Sequence, residues 1–247
     1  MLKQLIKTTL LRPFLKLLAR FGLELRHIQP TGTQTADAQS SGTQSSGTQS
    51  ADKEPTSTKT TSAQTLRWLP TDLKKSGFYP RPLVDIGAAQ GTPQLYEAFP
   101  ESFQVLIEPL KEHEPHLKDI LGEYEGAYFL TAIGDKDGQA TMNVEPNRIR
   151  LSSIHERTDT TATGDPVERR EIPVTRLDTL MENHSFQPPF GLKIDAEGFE
   201  YQVIQGAPAF LRETQFVIAE VSVANRFTES YSFSEFTEIM NRNGFYL

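Results

Sequence analysis

From Pro82 onward the sequence alternates between runs of strand periodicity and runs of helix periodicity, and that order restricts the fold more than any other feature. "PLVDIGA", "FQVLIEP", "AYFLTAIGD", "FGLKIDAEG" and "QFVIAEVSV" each read as a strand. "TPQLYEAF", "EHEPHLKDILG", "EYQVIQGAPAFLRE" and "SFSEFTEIMNRNG" place apolar residues at helical spacing. Two polar-alternating runs, "QATMNV" and "EIPVTRL", predict further strands or hairpin arms. Strands that alternate with helices bury their apolar faces as a parallel sheet covered on both sides. The predicted class is therefore α/β with a doubly wound, mainly parallel sheet. Helix ends are expected at Gly122 and Gly244, and Ser232 or Ser234 is expected to cap the last helix.

The chain before this alternation has a different character. Residues 31–66 are mostly Thr, Ser, Gln, Ala and Gly, repeat "SSGTQ" twice in succession, and contain no aromatic, Ile or Val. Such a stretch buries too little apolar surface to offset its ordering entropy. It predicts a disordered linker between a segment at 1–30 and a domain at 67–247. Residues 1–30 hold Lys3, Lys7, Arg12, Lys16, Arg20 and Arg26 against Glu24, with Leu2, Leu5, Ile6 and Leu10 at helical spacing. This reads as a basic amphipathic helix, kinked or split at Pro13. A spanning helix takes roughly 20 largely apolar residues, and the basic residues recur too often for that. Arg12 and Lys16 also interrupt the apolar run a secretory leader needs. Two readings stand for the segment: contact with a membrane surface or a partner, or packing on its own domain. A cytoplasmic location is expected in either case.

The net charge is −7, and since residues 1–30 contribute +5, the remainder stands at −12. That balance argues against nucleic acid as a partner, because sequence-independent binding rests on neutralising phosphates. The absence of cysteine excludes disulfides, thiolate metal sites and cysteine nucleophiles.

Ligands of open α/β sheets bind beyond the carboxyl ends of the strands. The residues at those ends are Asp85, Glu108, Asp135, Asp195 with Glu197, and Glu220. One acid in such a place is ordinary loop polarity; the recurrence along one rim points to a site. In "VDIGAAQG", Gly87 and Gly91 allow a tight turn and let a ligand touch backbone. Glu108, 23 residues after Asp85 and at the end of the next strand, can accept both hydroxyls of a ribose. The dinucleotide pattern G-x-G-x-x-G is absent, with Ala89 where its second glycine would admit a pyrophosphate. The pattern suits an adenosyl group better than NAD.

These residues resemble the class I S-adenosylmethionine-dependent methyltransferases, and more narrowly the FkbM-type enzymes. The resemblance runs through "VDIGAAQG", "VLIEP", "AIGDKDGQA", "RLSSI", "VTRLDTL", "LKIDAEGFEYQVIQGA" and "FVIAEV" in that order, with the sixth the most specific. It implies a Rossmann-like fold and S-adenosylmethionine as cofactor. It also implies that Asp85, Gly87, Ala88 and Gly91 line the methionine moiety, that Glu108 holds the ribose, and that Asp135 lies near the adenine. The implied reaction is methyl transfer to a hydroxyl oxygen of a saccharide or small secondary metabolite. An NAD-linked oxidoreductase and a non-catalytic nucleoside-binding module are the alternatives. Members of the broader class continue into a final antiparallel hairpin where this sequence reads "GFYL". Either the sheet is truncated there or "QATMNV" and "EIPVTRL" supply cover elsewhere.

On a strand, Lys193, Asp195 and Glu197 project to one side. Burying such charges is costly unless they pair or face a cleft, so they form either a site, or a Lys193–Asp195 ion pair, or an acid cap on a helix N-terminus. A hydroxyl is a weak nucleophile until its proton leaves, and Asp195 is the first candidate for the base, with Glu197 and Glu220 behind it. The same acids could hold magnesium, although no metal is assigned. Ser152, Ser153 and Lys193 are candidate substrate contacts, the serines reading equally as plain loop. His113 and His116 are expected to be solvent-exposed.

Overall fold

The computed structural model describes residues 70–158, 166–223 and 226–246. The expected helical segment 1–30 and linker 31–66 lie outside the described residues. In chain order the elements are α1 (Thr71–Lys75), β1 (Pro82–Ile86), α2 (Pro93–Ala98), β2 (Phe103–Ile107), a 3-10 turn (Lys111–His113), α3 (Glu114–Glu123), β3 (Gly126–Phe129), β4 (Ala132–Ile133) and β5 (Gly138–Val144). A second 3-10 segment (Pro146–Leu151), β6 (Glu168–Thr175), α4 (Leu177–Asn183), β7 (Phe190–Ile194), α5 (Glu200–Gln205), α6 (Pro208–Arg212), β8 (Thr214–Ala219) and α7 (Phe233–Arg242) follow.

Among the described residues, five strands form one parallel sheet in the order β3-β2-β1-β7-β8. The chain steps outward from β1 to β3 and returns on the other side of β1 as β7 and β8, which is the doubly wound, Rossmann-like arrangement. The reversal falls between β1 and β7, where such sheets bind ligands. Alternation along β1 sorts its side chains between two cores. Val84 and Ile86 join Val105, Ile107, Leu192 and Ile194 against α4, α5, α6 and α7. Leu83 and Leu106 pack on the other face against Leu95 and Tyr96 of α2 and Leu117 of α3.

Four expected elements differ in detail. "AYFLTAIGD" is two strands: β3 ends where Glu108 N–H bonds Phe129 O at 3.0 Å, and β4 pairs with β6 in a second sheet, β4-β6-β5. "EYQVIQGAPAFLRE" is two helices, because Pro208 has no N–H to continue the first and its fixed φ suits the start of the second. Gly122 lies inside α3, which runs on to Glu123. The strand at "FGLKIDAEG" stops at Ile194, so Glu197 sits in a turn. The expected strands "QATMNV" and "EIPVTRL" pair antiparallel as β5 and β6. They bury Met142, Val144, Ile172 and Val174 with Leu110 and Ala132. β8 is the outer strand on its side among the described residues. Ser232 caps α7 in a reciprocal box with Glu235.

Candidate cofactor and acceptor site

The turn after β1 is folded over the end of β2 by two hydrogen bonds, from the Gly87 and Ala88 N–H groups to Ile107 O at 2.9 and 3.1 Å. Gly87 has φ +71°, and a Cβ there would lie 1.8 Å from the Asp195 carbonyl oxygen. Gly91 has φ +91°, and its Cβ would lie 2.6 Å from the Ile120 side chain. Gly87 thus lets the β1 turn touch the β7 terminus and Gly91 lets it pass the Ile120 side chain of α3, leaving backbone as one wall of the site.

Glu108 follows β2 directly and is 5 % exposed. Its Oε2 accepts the Ala89 N–H at 3.1 Å and its Oε1 the Leu110 N–H at 2.9 Å. Burial pushes its carboxyl up to about 7, with the Asp85 charge acting the same way; the two amides and the Lys193 ammonium oppose them.

Asp85 is placed elsewhere than expected. It is fully buried and absent from the cavity wall, because one step before the strand end its side chain turns to the α2 face with Leu83 rather than forward. There Oδ2 accepts from Thr92 Oγ1 at 3.0 Å and from the Tyr96 hydroxyl, while Oδ1 faces Lys193 Nζ at 2.9 Å. Asp85 and Lys193 are register partners on β1 and β7. The ammonium also donates to Gly87 O at 3.2 Å and lies 3.8 Å from Asp195 Oδ2. Burial alone would lower the Lys193 pKa, but Asp85 and Asp195 more than reverse it, with Glu220 adding to them, so the net shift is upward. Lys193 still lines the cavity. Asp135 is the second departure. It is exposed, beyond Gly134, and outside the cavity wall, which Thr131, Ala132 and Ile133 form instead.

Asp195, Glu197 and Glu220 do line one cavity, at the carboxyl ends of β7 and β8. Asp195 is one-third exposed. Glu197 is bound to Arg157 at 3.0 Å, with Arg226 at 3.8 Å. Burial raises its carboxyl, aided by Asp195 and Glu220 and opposed by the arginines. Among the described residues no three acids or histidines converge where they could hold a metal. Ser152 lines the cavity and accepts the Glu145 N–H at 3.2 Å. Ser153 lies behind the wall: its hydroxyl donates to Glu197 O at 2.6 Å and accepts the His155 N–H at 3.1 Å.

Two residues carry more than the sequence suggested. Glu200, 2 % exposed, accepts the Ala196 and Gly198 N–H groups at 3.0 and 3.1 Å and the Tyr231 hydroxyl, tying the loop that carries Asp195 to the start of α5. His113, expected at the surface, is 3 % exposed and lines the cavity, whereas His116 is exposed. Only its place in the turn after Glu108 hinted at this. The 3-10 hydrogen bond from His113 N–H to Leu110 O at 3.0 Å turns the side chain inward.

The cavity encloses about 970 Å³, at the upper end for a small-molecule site. Its wall runs from the Gly87–Gly91 backbone past Glu108 to Asp195, Glu197 and Glu220, with residues of the second 3-10 segment across it.

The family described as the methyltransferase FkbM domain matches residues 85–247. This chain belongs to the FkbM methyltransferase domain family. No curated protein matches it in sequence. A solved structure of methyltransferase FkbM from Methylobacillus flagellatus KT is similar at 18 % identity and a TM-score of 0.37, over 54 % of this chain and 30 % of that one. The chain therefore spans under a third of that FkbM protein's length. The family match begins at Asp85, so it takes in the glycine turn, Glu108 and the whole acidic rim.

Proposed function

We propose that this protein transfers a methyl group from S-adenosylmethionine to a hydroxyl oxygen of a saccharide or small secondary metabolite. The observation that carries the reading is the join of two unlike ends in one cavity, a bare backbone turn with Glu108 and a cluster of acids at Asp195. The residues fit an adenosyl cofactor. The Gly87–Gly91 backbone leaves room for an amino-acid tail, Glu108 can accept from a diol, and the wall beyond it is apolar. When bound, the cofactor supplies an electrophilic methyl on a cationic sulfur. Asp85 and Lys193 neutralise one another, so the charge this chain presents at that point is the Asp195 carboxylate. Asp195 Oδ2 faces Lys193, which leaves Oδ1 to take the acceptor's hydroxyl proton and pass it to solvent through the open mouth. Glu197, held by Arg157, shapes the acceptor side and does not serve as base.

The test is calorimetric titration with S-adenosylhomocysteine, then transfer of labelled methyl from S-adenosylmethionine to an acceptor recovered from cell extract. Asp195→Asn is expected to lower kcat at least 100-fold while leaving S-adenosylhomocysteine affinity within about threefold. An Asp195→Asn variant that keeps its kcat, or that loses S-adenosylhomocysteine binding, would overturn the assignment of Asp195 as base.

A further inference from the structure

His113 is the buried polar side chain of this cavity that the reading above leaves without a task. It is 3 % exposed, and neither ring nitrogen is among the buried side-chain atoms sealed off without a partner. His116, its nearest ring neighbour, stands 6.2 Å away centroid to centroid. The space its ring faces is the cavity, where an imidazole can donate to or accept from a ligand. That end is walled by Leu110, Ala132, Met142, Ile149 and Ile154, all of one apolar cluster. Such a slot covers the faces of a planar ring, while Thr131, Asn147 and Arg150 line the same cavity beside His113. Asp135, the other polar residue expected here, points away from the slot's wall into solvent.

We propose that His113 hydrogen-bonds the edge of the cofactor's purine and so selects the base; this rests on the cofactor reading above. Burial lowers the imidazole pKa below its ordinary value, with His116 and Arg150 acting in the same direction and Glu112 against them. A neutral imidazole has one donor and one acceptor, and an adenine edge offers both a 6-amino donor and ring-nitrogen acceptors.

The experiment is titration of the full chain with S-adenosylhomocysteine and its 1-deaza, 3-deaza, 7-deaza and 6-deamino analogues, for the unsubstituted protein, His113→Phe and His113→Gln. One edge deletion is expected to weaken binding to the unsubstituted protein about tenfold, as one hydrogen bond in a buried site is worth. In His113→Phe the same deletion costs less than about threefold, the non-additivity that marks a direct contact. His113→Gln, which keeps a donor and an acceptor, recovers most of the parent affinity and shows that the slot is still folded. Additive losses in all variants overturn the His113 assignment and leave the cofactor reading standing. No binding of any of these compounds to the unsubstituted protein overturns both.

Discussion

Asp85 and Lys193 carry opposite charges into the interior, and each is tolerable only because the other is there. Lys193 is 12 % exposed at its side chain and Asp85 not at all. Lys193→Met leaves the Asp85 carboxylate with two hydroxyl donors and no cation, and is expected to cost about 3–5 kcal/mol, read by urea unfolding at pH 7. Asp85→Asn with Lys193→Met should recover much of that loss. Glu108 sets a pH dependence. Its folded-state pKa of about 7 stands above its ordinary 4.5, so its contribution to stability is fully present below 4.5 and is lost as pH rises through 7. Binding runs the other way, since the ionised carboxylate accepts from a ribose diol. S-adenosylhomocysteine affinity is therefore expected to rise between pH 6 and 8 while the melting temperature of the free protein falls, and Glu108→Gln should flatten the binding profile.

Between β7 and α5 the chain makes a turn that carries the proposed base. Glu197 takes φ +45°, a conformation a non-glycine residue does not hold without support, and Gly198 follows at φ +98°. Glu200 supplies that support: one oxygen takes two backbone N–H groups of the turn, and the other takes Tyr231 next to α7. Burial raises its carboxyl pKa, opposed by Tyr231 and the amides. Glu200→Ala leaves those donors unpaired and is expected to destabilise by roughly 2–3 kcal/mol. It should also lower kcat more than cofactor affinity, because Asp195 loses its anchorage and Glu108 does not. Denaturation and steady-state kinetics on the same preparation check both. The turn was read from the sequence as strand because charged and apolar residues alternate through "LKIDAEG". The structure ends the strand at Ile194 because its last partners are Ile86 and Ala219, and beyond them Glu200 takes the Ala196 and Gly198 N–H groups.

All the residues that line the cavity fall between Ile86 and Glu220, so a chain beginning at residue 67 is expected to bind S-adenosylhomocysteine within about twofold of the full chain. Comparing the two in sedimentation with anionic liposomes tests membrane contact by residues 1–30, and equal partition would remove that role. Among the described residues no helix is long and apolar enough to cross a membrane. The sheet class and the placing of Glu108, Asp195 and Glu220 at strand ends were legible in the sequence, because strand and helix periods and strand ends are local properties. Asp85 pairing with Lys193, Asp135 turning outward, His113 turning inward and Glu200 holding the Asp195 loop were not. Each depends on which face a residue takes and on which distant segment meets it there. One step of strand parity sent Asp85 under α2, and one 3-10 turn brought His113 into the cavity. Local pattern determined the elements and their order; only packing across the sheet decided which charged groups face the ligand and which hold the frame.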